Sequence, residues 1–187
     1  MRGNNPNGVY SPNGPASEHF TFTGSGTINA SGNIQSLIDP TMERTDVPEY
    51  CYYNMFYNCS NLTSAPALPA TALANYCYTH MFEGCTSLTK APALPATTLA
   101  SDCYNKMFYG CTSLTKAPVL PATTLASGCY YYMFRDCTSL TQASFPNLER
   151  DKVTRDVVQG NSAFYNAANN IETTCKDGIL VINSTSV

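Results

Sequence analysis

The dipeptide Cys-Tyr begins at Cys51, Cys77, Cys103 and Cys129, a strict spacing of 26 residues, and a second set of cysteines, Cys59, Cys85, Cys111 and Cys137, keeps the same interval. A fixed period of this length marks a stacked repeat, in which each copy buries its apolar positions only against its neighbours. The two fullest copies read CYTHMFEGCTSLTKAPALPATTLASD from Cys77 and CYNKMFYGCTSLTKAPVLPATTLASG from Cys103. Stacking predicts a core of columns: Leu62, Leu88, Leu114 and Leu140 in one, Met-Phe pairs in another, and Leu73, Leu99 and Leu125 in a third.

Within a copy, the Leu-Thr-x-Ala-Pro-x-Leu-Pro stretch has room for one extended segment, and its prolines exclude a helix. Leu88 to Leu94 is therefore read as a strand. The Cys-Tyr-x-x-Met-Phe-x-x-Cys stretch places its fixed residues at i, i+1, i+4, i+5 and i+8, the pattern of one face of a short helix. The expected fold class is an α/β repeat, a leucine-rich-repeat-like solenoid with one short strand and one short helix per copy. Parallel strands of successive copies would lie about 4.8 Å apart.

A stack of this kind needs covered ends. Residues 1–46 read as an N-terminal cap of β character, with Phe20-Thr21-Phe22-Thr23 alternating like a strand. Gly24 to Gly26 and Gly32 read as turns, and Ile34, Leu37 and Ile38 resume apolar spacing. Residues 47–146 hold the four copies. Residues 147–187 read as a degenerate copy, with Ala163-Phe164-Tyr165-Asn166-Ala167 in the Met-Phe-x-x-Cys register after the charged run Glu149 to Asp156. They end in a capping strand, with Lys176-Asp177-Gly178 turning into Ile179-Leu180-Val181-Ile182.

Only 12% of the 187 residues are charged and the net charge is -3, which excludes the basic field that nucleic acid or an anionic membrane surface would require. No apolar run approaches the roughly 18 residues of a membrane span, so membrane insertion of this segment is not expected. The opening Met1-Arg2-Gly3-Asn4-Asn5-Pro6 lacks the pattern of a secretory signal. It fits either a chain not exported by that route or a piece of a longer exported one.

Nine cysteines would ordinarily raise a disulfide scaffold, but eight belong to the repeat. The two in one copy, about 12 Å apart on a helix, are too distant for a bond. Buried thiols acting as small core residues are the preferred reading. Disulfides between neighbouring copies remain an alternative, and metal ligation lacks the paired Cys-x2-4-Cys spacing. Cys175 stands alone, either core or a reactive thiol.

The order Met-Phe-x-Gly-Cys-Thr-Ser-Leu-Thr at Met81 to Thr89 and Met107 to Thr115 resembles the Ala-Phe-x-x-Cys-x-x-Leu register of the BspA-type leucine-rich repeats. The Leu-Pro-Ala-Thr-Thr-Leu-Ala stretch looks like a longer variant of it. The resemblance covers residues 47–143 closely and Ala163 to Ile182 loosely. It implies a right-handed solenoid in a surface-exposed protein of host-associated bacteria or some protists, credited with adhesion or protein binding and with no catalytic residues. The segment before the repeats resembles one that larger family members place after further sequence, which points to Met1 not being the biological start.

Chemistry finds little purchase. His19 and His80 are the two histidines, and His80 sits where other copies have Asn54, Lys106 and Tyr132, so a surface role is expected rather than that of a general base. Gly-x-Ser-x-Gly, His-Glu-x-x-His and phosphate-loop motifs do not occur, and Thr23-Gly24-Ser25-Gly26-Thr27 reads as a turn. Neither catalytic residues, cofactor nor metal are expected. The Asn-x-Ser/Thr triplets at Asn29, Asn58, Asn61 and Asn183 are read as coincidental.

The positions that vary between copies carry the one functional clue. Tyr53, Asn54, Tyr57, His80, Glu83, Asn105, Lys106, Tyr109, Tyr131, Tyr132 and Arg135 are expected on the exposed helix face, rich in types that suit adaptable recognition. Drift at solvated positions is the competing reading. The rival face is the strand side, where Thr89, Lys90, Thr115 and Lys116 form a polar ladder. The expected function is a non-catalytic module binding a protein or glycan at a cell surface. A structural spacer or virion-type assembly protein is the alternative.

Overall fold

The computed structural model describes residues 25–149, 152–153, 156–157, 161–167, 174–176 and 179–181, the last two segments as backbone. The expected strand Phe20 to Thr23, His19, Gly24, the Asp177-Gly178 turn, Ile182 and Asn183 lie outside the described residues, as do the cysteine side chain of Cys175 and part of the Glu149 to Asp156 run.

Successive copies stack, as the 26-residue period requires. Rings of Phe56, Phe82, Phe108, Phe134 and Phe164 form one column with centroids 5.4, 5.6, 5.6 and 5.2 Å apart and nearly parallel planes. Tyr52, Tyr78, Tyr104 and Tyr130 form a second at 5.5, 5.9 and 6.1 Å, closed by Phe145 set edge-on to Tyr130. Leu62, Leu88, Leu114 and Leu140 are buried as expected. In the third expected column Leu99 is buried while Leu73 and Leu125 are half-buried. A further column, Leu68, Leu94 and Leu120 with Ala70, Ala96 and Ala122, completes the core. All eight repeat cysteines are buried thiols outside any disulfide.

The expected helix is not formed. From Cys51 to Cys59, and in every later copy, the chain is a run of hydrogen-bonded turns. Alternate N–H groups close turns within the copy, as Met55 to the Tyr52 carbonyl, Tyr57 to Asn54 and Cys59 to Phe56. The intervening ones reach the next copy: Tyr52 to Cys77 at 2.9 Å, Asn54 to Thr79 at 3.1 Å, Phe56 to Met81 at 2.9 Å and Asn58 to Glu83 at 2.7 Å. A helix would consume these donors internally and leave neighbouring copies joined by side chains alone.

The turns repeat every four residues, and each carries one residue in the left-handed region. In the first copy these are Tyr50, Asn54 and Asn58, in the second Tyr76, His80 and Gly84, and in the third Asp102, Lys106 and Gly110. Asparagine and glycine accept this conformation readily. A tyrosine or lysine there costs about 1 kcal/mol, offset by the ladder bond on the same residue's N–H. A four-residue turn period imitates the 3.6-residue helical one, which explains why the spacing of fixed residues pointed to a helix.

The strands are short. At the N-terminal end β1 (Ile28–Asn29) pairs in parallel with β3 (Leu62–Ser64), and β2 (Asp46–Val47) with β4 (Ala72–Leu73). A 3-10 turn over Ile34–Leu37 lies between β1 and β2. Its fully buried Gln35 donates to the carbonyls of Arg44 and Asp46 and accepts from the Tyr52 hydroxyl, closing the tyrosine column. At the other end β5 (Lys116–Val119) pairs in parallel with β6 (Gln142–Ser144), which the antiparallel pair β8 (Ile179–Val181) and β7 (Thr174–Lys176) extends. Extra strands thus flank the copies at both ends.

The strand read over Leu88 to Leu94 is absent. No backbone hydrogen bond joins residues 89–96 to the copy before or after them among the described residues. Pro66, Pro92 and Pro118 stand at one repeat position and Pro69, Pro95 and Pro121 at another, and proline has no N–H to give a ladder. Where Ser144 replaces the first of these prolines, β6 forms and Leu120 donates to the Ser144 carbonyl at 2.9 Å.

The degenerate fifth copy is real but displaced. Tyr132, Phe134 and Asp136 donate to the carbonyls of Asn161, Ala163 and Tyr165. Ala163 and Ala167 occupy the methionine and cysteine positions, fully buried, and Ser162 and Asn166 are left-handed. The copy follows at 30 residues rather than 26, with the extra length falling in the charged run.

Candidate functional site

The turn side and the strand side present different surfaces. On the turn side the varying residues alternate between left-handed positions and positions whose side chains lie against the next copy. The picture of an exposed, unconstrained helix face is therefore corrected. Asn54 is buried at 8% exposure, Tyr53, Tyr57, His80, Glu83, Asn105, Lys106, Tyr109, Tyr132 and Arg135 are half-buried, and Tyr131 alone among them is exposed.

These side chains hold one another. The Tyr53 ring meets Tyr50 at 6.0 Å and the His80 ring edge-on at 5.5 Å, and Tyr50 stacks on Tyr76 at 4.8 Å. His80 Nδ1 is paired with Glu83. Asn105 donates to Asp102 Oδ1 at 2.7 Å, and Thr79 donates to the Asp102 carbonyl. Towards the C-terminal end Tyr131 and Tyr132 lie with centroids 4.1 Å apart, and Arg135 lies among Tyr109, Tyr132 and Tyr165. The side chains at these varying positions are therefore held by backbone conformation and by the neighbouring copy.

On the strand side Thr89, Lys90, Thr115 and Lys116 are exposed, as expected. No backbone ladder among the described residues joins the second and third copies there, and a cleft of about 780 Å³ is lined by Lys90–Pro95 of one and by Lys116–Val119 and Pro121 of the other. A second cleft of about 490 Å³ separates the first and second copies, and Pro92, Ala93 and Pro95 line both. The walls are mostly apolar. Val119, 56% exposed, stands on the rim.

Lys90 and Lys116 are the only charged residues in the segments 62–70, 88–96, 114–122 and 140–148. Neither takes part in an ion pair among the described residues. The carboxylates Glu83, Asp102 and Asp136 belong to the turn side. The cleft thus has a one-signed rim over an apolar floor. The sequence named the lysines but not the opening, whose signal was the two aligned proline positions.

The thiols offer poor nucleophiles. Burial pushes Cys59 and Cys129 up to about 11, and the more deeply set Cys85 and Cys103 further still, so all stay protonated near neutral pH. No cluster of three or more His, Cys, Asp or Glu is placed to hold a metal among the described residues. No helix among them is long and apolar enough to cross a membrane.

No curated protein and no solved structure matches the chain. A family model, the BspA type leucine rich repeat region, matches residues 17–115 and 46–186 in six copies. Those residues take in every stacked copy and the degenerate fifth, and the chain belongs to the BspA-type leucine-rich repeat family.

Proposed function

We propose that this chain is a non-catalytic binding module, a right-handed solenoid displayed at a cell surface, whose strand-side clefts receive an extended acidic segment of a partner protein. The observation that carries this reading is the break in the ladder over residues 89–96. A closed sheet there would present a flat surface with its backbone groups satisfied. The open one presents an apolar floor, backbone groups without ladder partners and two lysines of one sign at its edge. Apolar contact supplies affinity, and the lysines supply orientation and association rate. The protonated, buried thiols and the absorption of His80 into a pair with Glu83 support a module without chemistry.

Calorimetric titration with a glutamate-rich decapeptide tests this reading. Binding should weaken as salt is raised, and Lys90→Glu with Lys116→Glu should weaken it about tenfold or more. A folded protein that takes up no such peptide, or that self-associates through this side instead, contradicts the proposal.

A further inference from the structure

The turn side carries a second feature, unlike anything in the first two copies. The repeat position held by Tyr57, Glu83, Tyr109, Arg135 and Tyr165 forms a column, and in it a single arginine stands between two tyrosines. The Arg135 guanidinium carbon is 5.4 Å from the Tyr109 ring centroid, 4.7 Å from that of Tyr165 and 4.7 Å from that of Tyr132. Three rings therefore lie within cation–π range of the guanidinium.

None of the guanidinium N–H groups is hydrogen-bonded among the described residues. Arg135 Nε is buried without a hydrogen-bond partner, and its nearest carboxylate oxygen, Asp136 Oδ2, is 3.5 Å away. An arginine has five donors in a rigid fork; here Nε faces Asp136 in an ion pair at 3.5 Å, and the two terminal nitrogens have no hydrogen-bond partner among the described residues. The side chain is 29% exposed, so solvent or a ligand reaches part of it. Beside it stand two of the most exposed aromatic rings of the described residues, Tyr131 at 37% and Tyr165 at 51%.

We propose that Arg135, Tyr131, Tyr132 and Tyr165 form a site for a carboxylated sugar. A planar carboxylate matches the two terminal nitrogens at the edge of a guanidinium two bonds at a time. Exposed tyrosine faces beside that edge suit the C–H face of a pyranose ring, and their hydroxyls suit its hydroxyl groups. A bare carboxylate on a peptide would use the arginine and leave both exposed rings idle, so a sugar acid fits more of the surface. Asp136, on the Nε side, disfavours a second negative charge there and so favours a ligand with one carboxylate over a polyanion.

Titration of the folded protein with sialyllactose and with lactose, followed by the ring resonances of the tyrosines, tests the site. Sialyllactose should shift Tyr131, Tyr132 and Tyr165 and bind about tenfold or more tightly than lactose, the worth of one charge-assisted pair. Arg135→Gln and Arg135→Lys should both remove that preference, the second because it keeps the charge and loses the fork. Tyr131→Ala, at an exposed ring beside Tyr132, should weaken both sugars while the protein still folds. Lys90→Glu with Lys116→Glu should leave sugar binding intact, which separates this site from the strand-side clefts. Equal binding of the two sugars, no shift with either, or a glutamate-rich decapeptide binding here instead would each overturn the proposal.

Discussion

The thiol of Cys85 donates to the backbone carbonyl of Phe56 at 3.1 Å, across the boundary between copies. Cys111 repeats the bond to Phe82 at 3.1 Å and Cys137 to Phe108 at 3.0 Å. The second cysteine of the second, third and fourth copies is thus a small apolar residue with one donor, tying its own turn to the preceding one. Cys103, in the first column, is as deeply buried and donates to no carbonyl among the described residues.

Serine substitution should separate the two columns. Cys111→Ser keeps a donor where the Phe82 carbonyl can accept it and should cost less than about 1 kcal/mol. Cys103→Ser buries a hydroxyl without an acceptor and should cost about 1–3 kcal/mol. Urea unfolding of the two variants under reducing conditions checks the difference, and equal losses would remove the distinction between the columns.

Two glycines at the same repeat position make a second comparison. Gly84 and Gly110 are both left-handed, at φ 74° and 70°. A Cβ on Gly110 would meet nothing closer than 3.9 Å, whereas one on Gly84 would collide with the Asn58 carboxamide. Gly110→Ala should cost about 1 kcal/mol from backbone conformation alone, and Gly84→Ala more. Measured against Asn58→Ala alone, which carries its own left-handed cost at φ 57°, Gly84→Ala should lose most of its excess. Thermal melts of the single and double variants measure it.

Stability should form a plateau with opposite slopes at its ends. Asp39 accepts from the Thr41 hydroxyl and from the N–H groups of Thr41, Glu43 and Arg44. The Thr41 hydroxyl first, then the Arg44 N–H, hold its carboxyl down at about 2, against 3.8 for a free side chain. A depressed carboxyl stabilises the fold above the unfolded value, and that stability is lost as pH falls from about 4 towards 2. The thiols act at the other end. The unfolded ones ionise near 9 while folded Cys59 and Cys129 hold their protons to about 11. The unfolded state then binds fewer protons, and stability falls as pH rises through this window. Urea midpoints across the range should show both slopes. Asp39→Asn should flatten the acid one alone.

Much of the stack was legible because identical residues 26 apart can meet only if copies superpose. The phenylalanine and leucine columns and the alanine-bearing fifth copy follow from that alone. The local conformation was not legible in the same way. Met55 and Cys59 sit at helix-compatible spacing, and only the asparagine and glycine at positions 54, 58, 84 and 110 hinted at left-handed turns. The histidine, lysine and tyrosine at 80, 106 and 132 concealed the hint, since the ladder bonds that hold them join residues of neighbouring copies, His80 to Asn105, Lys106 to Tyr131 and Tyr132 to Asn161. The clefts were hidden for a different reason. Prolines were read as excluding a helix, but aligned across copies they also exclude the ladder. Arg135 was named for its variability, while its setting depends on Tyr109 and Tyr165 in two other copies.

The face that binds protein is the central claim, and mapping backbone resonances during titration with the glutamate-rich decapeptide addresses it most directly. Shifts should concentrate at Lys90, Ala91, Ala93, Lys116 and Val119 around the cleft. Shifts confined to Tyr53, His80, Glu83 and Lys106 on the turn side, with the cleft unmoved, would contradict it.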